Sequence, residues 1–172
     1  MACCKARSEC GLALGQEETK LPGYAKIIVL NPGEGRQPKV AANMLQTIKV
    51  AGEDVGGEFA LWESEIRGGP GPHIHHDDIE WFYVLDGKVE YRLGDEVAVL
   101  GKGGFLLIPR GQLHSFQTLG ESPAKLLVMV LPAGFEHFFE EVEAMQESGM
   151  EIRQVLSVVG EKYKATFLPP GG

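Results

Sequence analysis

The sequence predicts a mainly β domain, an antiparallel sandwich or barrel, with one or two helices towards the C-terminus. Short apolar runs recur at near-regular spacing between residues 26 and 131, and turns rich in Gly, Pro and Asp separate them. Many short strands divided in this way are typical of antiparallel sandwiches and barrels. After Pro132 the spacing of the apolar residues becomes helical. Together, these observations predict the fold class.

Length and composition favour one folded domain. With 172 residues, 44% hydrophobic and 23% charged, the chain can bury a substantial core and has an ordinary globular composition. Residues 1–22 are polar, and we expect them to be a flexible N-terminal segment. A single domain is expected over residues 23–172, including a helical extension at about 134–162. All three cysteines lie in the N-terminal segment and are expected to be reduced thiols.

Alternating apolar residues support individual strands. In KVEYRL at residues 88–93, Val89, Tyr91 and Leu93 share one face of the predicted strand. The dipeptide at residues 86–87, Asp-Gly, precedes this run and predicts a hairpin turn. The continuous apolar run at residues 126–131 predicts a strand covered on both faces.

The helical region begins after the last strand. Its first helix is predicted from apolar residues at helical spacing: Phe135, Phe138, Phe139 and Val142. A second short helix is expected at about 151–161. We expect both helices to pack over an outer face of the β unit or against a partner subunit, with their aromatic residues as packing residues. His137 is interpreted as a surface or packing residue.

Charge and hydropathy exclude several partners. The net charge is −8 with a pI near 5.1, and no basic stripe could follow a phosphate backbone, so we expect no nucleic acid partner. No run approaches the ~18 apolar residues that span a bilayer, so no membrane partner is expected. The first residues lack the apolar core of a signal peptide, which favours a cytoplasmic protein.

The stretch HIHHDDIE at residues 73–80 contains three acidic residues and three of the five histidines of the chain. His73 and His75 are two residues apart, so on a strand they project to the same side, as two ligands of one metal must. Glu80 follows closely, and His114 lies downstream in PRGQLH. Because a single buried histidine is usually a hydrogen-bonded core residue, these residues leave open a metal site, a solvated acidic loop, or part of each.

At these residues the sequence closely resembles the cupin superfamily. HIHHDDIEWFYVLDG at 73–87 is similar to the first cupin motif, and GGFLLIPRGQLHSF from Gly103 is similar to the second. The resemblance implies a cupin-type double-stranded β-helix, or jelly-roll barrel, in which His73, His75, Glu80 and His114 bind one divalent metal. Three imidazoles and a carboxylate suit a first-row transition metal, so iron, manganese, nickel, copper, cobalt and zinc all remain open.

Strand parity extends the predicted site to four pocket residues. Phe82 and Val84 share a face with Glu80, and Phe116 and Thr118 share a face with His114. Between the ligands, residues 76–78 (His-Asp-Asp) are interpreted as a solvated turn, with the alternative that one of them orients a ligand.

Among cupins, the chain resembles the small quercetin dioxygenase-like proteins, through EWFYVLDG, FLLIPRGQLHSF and PAGFEHFFEEVE. This resemblance implies an oxidoreductase that joins dioxygen to a small aromatic or enol-bearing substrate, with Glu80 also acting as the catalytic base. The alternatives are a metal-dependent isomerase or lyase that needs no dioxygen, and a cupin that binds a small molecule without turnover. A homodimer is expected, with the apolar C-terminal helix as a candidate surface.

Overall fold

The computed structural model describes residues 27–40 and 43–169. The expected flexible segment at residues 1–22 and the three cysteines lie outside the described residues. Within them, ten strands and two α-helices confirm a mainly β fold with C-terminal helices. The strands are β1 (Met44–Val50), β2 (Ala60–Ile66), β3 (His73–His75), β4 (Ile79–Asp86), β5 (Lys88–Leu93), β6 (Glu96–Gly101), β7 (Phe105–Ile108), β8 (His114–Thr118), β9 (Ala124–Leu131) and β10 (Ala165–Phe167), and the helices are α1 (Glu136–Glu147) and α2 (Ile152–Lys162).

The strands form two five-stranded antiparallel sheets that enclose one core. The first sheet has the order β1-β2-β9-β4-β7 and the second the order β10-β3-β8-β5-β6. Because β9 lies between β2 and β4, strands distant in sequence are neighbours, as in a jelly roll. Aromatic contacts join the inner faces: the ring of Phe82 lies 5.0 Å from that of Phe116 and 5.4 Å from that of Tyr91.

The turn at Asp86-Gly87 is not the expected hairpin. β4 pairs with β7 and β9 in the first sheet, whereas β5 pairs with β6 and β8 in the second. Gly87, at φ +80°, turns the chain from one sheet to the other, and a Cβ there would lie 2.9 Å from the Cα of Ala124. The dipeptide was a correct turn signal, but alternation cannot distinguish a hairpin from a crossing between sheets.

Strand β9 is central in its sheet but is not fully covered on both faces. Leu126, Val128 and Val130 point inwards and are buried, whereas the alternate residues are half-buried or exposed. Side chains of neighbouring strands shield the outer face in part; Trp81 Nε1, for example, donates to Met129 Sδ at 3.1 Å. The outer face of the first sheet is therefore partly open and apolar.

The two helices close one end of the barrel, which corrects the expected packing over an outer face. The inner side of α1 buries Phe138, Phe139 and Val142, and the ring of Phe139 lies 5.3 Å from that of Trp62 between the sheets. After α2, the chain returns as β10 and pairs antiparallel with β3. The helices of the described residues are too short and too polar to cross a lipid bilayer.

Candidate metal centre

Three histidines from the second sheet converge inside the barrel. His73 and His75 point inwards from β3, and His114 on β8 lies directly opposite His73 in the strand register. The ring of His73 lies 4.1 Å from that of His114 and 5.3 Å from that of His75. Because β10 pairs with both β3 histidines, β3 is held between two strands, and its side chains have defined positions.

Glu80 reaches the same point from the first sheet. Its Oε2 lies 3.2 Å from Nε2 of His114 and 3.8 Å from Nε2 of His75. One potential ligand atom from each of the four residues falls within a cluster whose members are at most 4.8 Å apart. All four residues are buried, with exposed fractions of 1–5%. The structure thus brings together every residue that the sequence suggested as a metal ligand.

Each histidine is oriented by a partner at Nδ1. His73 donates from Nδ1 to the carbonyl of Gly71, and His114 donates to that of Gln112, both at 2.9 Å. Nδ1 of His75 lies 3.4 Å from Oδ2 of Asp78. Because a carbonyl only accepts, Nδ1 of His73 and His114 carries a hydrogen, so in the neutral ring Nε2 holds the lone pair and faces the cluster. Such outer partners are characteristic of metal-binding histidines.

Two buried atoms at the centre of the cluster lack a hydrogen-bond partner among the residues that the structure describes. They are Glu80 Oε2 and His114 Nε2, which lie close together but without hydrogen-bond geometry. A buried polar atom without a partner is costly, and most such atoms in proteins are satisfied. A cation between them would satisfy both atoms, so the residues present fit a divalent metal.

The pKa values of the cluster favour the metal-binding forms of His73 and Glu80 but the protonated form of His75. Burial and the nearby charges of His114 and His75 lower the pKa of His73 to about 3, so its imidazole is neutral at neutral pH. Burial raises the pKa of Glu80, but His75 and His114 outweigh it and hold that pKa below its usual value. For His75, burial is likewise outweighed, and Glu80 and Asp78 raise its pKa. Metal binding therefore competes with a proton on His75.

The cluster lies at the wall of an apolar cavity of about 180 Å³. Phe135 and Phe138 of the helical region line it, and the ring of Phe135 is 4.2 Å from that of His75. Phe167 of β10 also lines the cavity and stacks on His73 with the ring centres 5.4 Å apart. The helical aromatics that the sequence suggested as packing residues thus also form the lid over the cluster.

Two of the four predicted pocket residues line this cavity. Phe82 and Phe116 do so, whereas Val84 and Thr118 are not among the lining residues. Val84 is fully buried further along β4, and the Thr118 hydroxyl accepts a hydrogen bond from Gly68 N–H at 2.9 Å. Strand parity correctly indicates the inner face, but it does not indicate how far along the strand the cavity extends.

Sequence reasoning missed other residues of the site. Gln46 and Ser64, which lie opposite each other on β1 and β2, line the cavity and are 1% and 2% exposed. The sequence feature that could have identified them is a polar residue at an inward-facing position of a predicted strand. Asp78 orients His75 through its Nδ1, which agrees with the alternative that a residue of this turn orients a ligand. His76 instead contacts Thr166 Oγ1 at 2.9 Å, outside the cluster.

A second group of potential ligands, Glu53, Glu136 and His137, is a poor metal site. Both carboxylate oxygens of buried Glu136 already accept backbone N–H groups, from Gly52 at 2.7 Å and Gly134 at 2.6 Å. The hydrogen bond to Glu140, with nearby carboxylates, raises the pKa of His137 despite burial and favours its protonated form, which cannot bind a metal. The group is better explained as an anchor for the start of α1.

Comparison with known proteins agrees with the fold and the residues. The family model described as "Cupin domain" matches residues 60–130, which include all four clustered residues. The chain is 31% identical over 137 residues to quercetin 2,3-dioxygenase from Bacillus subtilis, an alignment that covers 78% of this chain and 40% of that relative. The chain thus spans less than half the length of this curated relative.

Several solved structures are similar in architecture. KdgF from Halomonas sp. has a TM-score of 0.55 at 18% identity, covering 64% of this chain and 98% of that one. A predicted oxalate decarboxylase from Thermotoga maritima has a TM-score of 0.53 at 13% identity, covering 62% and 99%. At such identities the likeness concerns the fold alone. The family match identifies a cupin domain at residues 60–130, and the jelly-roll topology of the strands agrees with it.

Proposed function

We propose that His73, His75, Glu80 and His114 hold one divalent transition metal. The observation that carries this proposal is the pair of buried, unpartnered atoms, Glu80 Oε2 and His114 Nε2, that face each other in the cluster. The donor set of three imidazoles and one carboxylate suits iron, manganese, nickel, copper, cobalt or zinc.

We further propose a dioxygenase-like reaction on a small aromatic or enol-bearing substrate. The support is the likeness to a quercetin 2,3-dioxygenase, together with a cluster of potential metal ligands at the wall of an apolar cavity. When bound, the metal supplies Lewis acidity that makes an enol hydroxyl more acidic and brings the substrate close to dioxygen. Both oxygen atoms enter the organic product, so the substrate supplies all the electrons and no other reductant is needed.

The side chains of the cavity have separate roles in this proposal. Glu80, ionised at neutral pH, accepts the proton of the substrate hydroxyl as general base. The backbone carbonyls of Gly71 and Gln112 keep the free nitrogens of His73 and His114 directed at the cluster. The aromatic lid excludes water, which would otherwise weaken electrostatic interactions and hydrolyse reactive products.

The size of the cavity restricts the substrate. A cavity of about 150 Å³ accommodates benzene, and drug-sized ligands usually occupy about 300–1,000 Å³. At about 180 Å³, the cavity takes one aromatic ring with short or slender substituents. A three-ring flavonol exceeds this volume and would have to extend out of the cavity. We therefore propose single-ring enols and catechols as the first substrate class.

Elemental analysis of the protein, purified without added metal, tests the metal proposal. We expect close to one transition metal per chain, and we expect His75→Ala combined with His114→Ala to lose it while keeping its β-type circular dichroism. His76→Ala is the matched control, because His76 is exposed and lies next to a ligand, and its side chain contacts Thr166 outside the cluster. Full metal content in the double variant would refute the ligand assignment.

An oxygen-electrode screen tests the reaction. Single-ring catechols and enols should consume dioxygen with the metal-loaded protein, and Glu80→Gln should slow this consumption more than Glu90→Gln, a control on β5. Turnover of the same compounds under strict anaerobiosis would instead support an isomerase or lyase. Binding of these compounds with no product in either atmosphere would support the non-catalytic alternative.

We also propose a homodimer, with a different surface from the one expected. The apolar side of α1 is buried against the barrel, so it is not available to a partner. The outer face of the first sheet instead exposes Tyr83, Phe105 and Leu107 by 41–55% beside half-buried Trp81. A face of this kind can pair with its own copy about a two-fold axis. The cytoplasmic location stays a prediction, to be tested by fractionation.

A further inference from the structure

A glutamine in the apolar cavity has an unused acceptor. Gln46 on β1 is 1% exposed and lines the cavity, and its Oε1 has no hydrogen-bond partner in the described residues. Proteins rarely leave a buried carbonyl oxygen unpaired, since it lost its hydrogen bonds to water on folding. The residues around it do not explain its presence, because an apolar side chain would fill the same position at no such cost.

Gln46 lies at a different level along the strands from the cluster of potential metal ligands. In the first sheet, Gln46 is in register with Ser64, and through β9 this row reaches Val84 on β4. Glu80 lies four residues before Val84, which corresponds to about 13 Å along the strand direction. A slender ligand with its metal-binding oxygens near Glu80 would therefore direct its remote end towards Gln46.

We propose that Gln46 Oε1 accepts a hydrogen bond from an O–H or N–H group at the remote end of the substrate, and so determines specificity. The proposal rests on the substrate cavity described above and refines its ligand class. That class is a ring compound with metal-binding oxygens at one end and a hydrogen-bond donor on a side chain at the other. Because Oε1 can only accept, it pairs with a donor on the ligand and not with an ether or a carbonyl oxygen.

The proposal predicts a change in ligand preference that requires no turnover. Phenol and toluene have nearly the same shape, but only phenol carries a donor, so their affinity ratio reports on an acceptor in the cavity. Titration calorimetry of the full chain should give a phenol-to-toluene affinity ratio about tenfold lower for Gln46→Met than for the wild type. Treatment with a chelator excludes contact of phenol with a metal, and because Glu80 and His114 are present in both proteins, the difference in the ratio between them reports on Gln46.

A matched control lies two residues earlier on the same strand. Met44 also lines the cavity, and Met44→Leu changes its wall without changing an acceptor, so the ratio should stay at the wild-type value. Gln46→Met should fold, because it is similar in volume and removes an unsatisfied group. An unchanged ratio, within twofold, in Gln46→Met would overturn the proposal.

The wild type alone provides a second test. It should bind phenol at least as tightly as toluene, although water hydrates phenol better, and tighter binding of toluene would overturn the assignment. Neither measurement involves dioxygen. If no compound consumes dioxygen but the affinity ratio falls in Gln46→Met, the dioxygenase proposal is refuted and the role of Gln46 stands. If dioxygen is consumed but the ratio does not change, only the role of Gln46 is refuted.

Discussion

Replacing Glu136 by alanine should strongly destabilise the fold, because one buried carboxylate holds two loops at the start of α1. Its oxygens accept from the N–H groups of Gly52 at 2.7 Å and Gly134 at 2.6 Å, and the residue is 0% exposed. A hydrogen bond to a charged group contributes about 1.5–3 kcal/mol. Loss of two such bonds should therefore lower the free energy of unfolding by about 3–6 kcal/mol.

Glu136→Gln separates charge from shape. The amide keeps one acceptor oxygen but turns an NH₂ group towards the other N–H donor, so we expect about half the loss, roughly 1.5–3 kcal/mol. The control is Glu147→Gln at the exposed end of the same helix, which should change the free energy by less than about 0.5 kcal/mol.

Urea unfolding followed by circular dichroism measures these differences. The loss in the free energy of unfolding should be largest for Glu136→Ala, smaller for Glu136→Gln and smallest for Glu147→Gln. The denaturant slopes of the variants should be similar. A loss below about 1 kcal/mol for Glu136→Ala would refute the reasoning, since it would mean that water or other groups satisfy both N–H donors. The result also bears on function, because α1 carries the aromatic lid.

Four further predictions concern the site and the surface. Asp78→Asn should weaken metal affinity about 10–100-fold in a chelator competition without unfolding the protein, and unchanged affinity would rule out an orienting role. His137 has a raised pKa, chiefly through Glu140, so its stabilisation is present below a pH of about 6.5 and is lost as the pH rises through the raised value. In urea unfolding at a series of pH values, His137→Gln should show a smaller fall in the free energy of unfolding over this range than the wild type. An unaltered pH profile would contradict this prediction. Phe138→Ala should cost about 3–5 kcal/mol and admit two-ring ligands, and calorimetry showing the wild-type size limit would contradict this. Phe105→Glu should yield monomers in sedimentation experiments, and an intact dimer would exclude the outer sheet face.

Much of the fold could be predicted because its signals are local. Alternation identified β5, and helical spacing identified α1, since each pattern depends only on which residues share a face. Pairing partners are not local. The chain at Gly87 therefore crosses between sheets where a hairpin was expected, and the helices cover the barrel end where an outer face was expected.

The sequence by itself identified the four candidate ligands through its resemblance to the two cupin motifs, which carry the donor residues at residues 73–80 and at His114. Only the tertiary structure decided what surrounds them. The cavity is built from strands and helices distant in the chain, so its volume, its aromatic lid and the unpartnered oxygen of Gln46 depend on packing between elements. Donor chemistry is a property of single residues, whereas cavity shape and unpaired groups are properties of contacts that form only on folding.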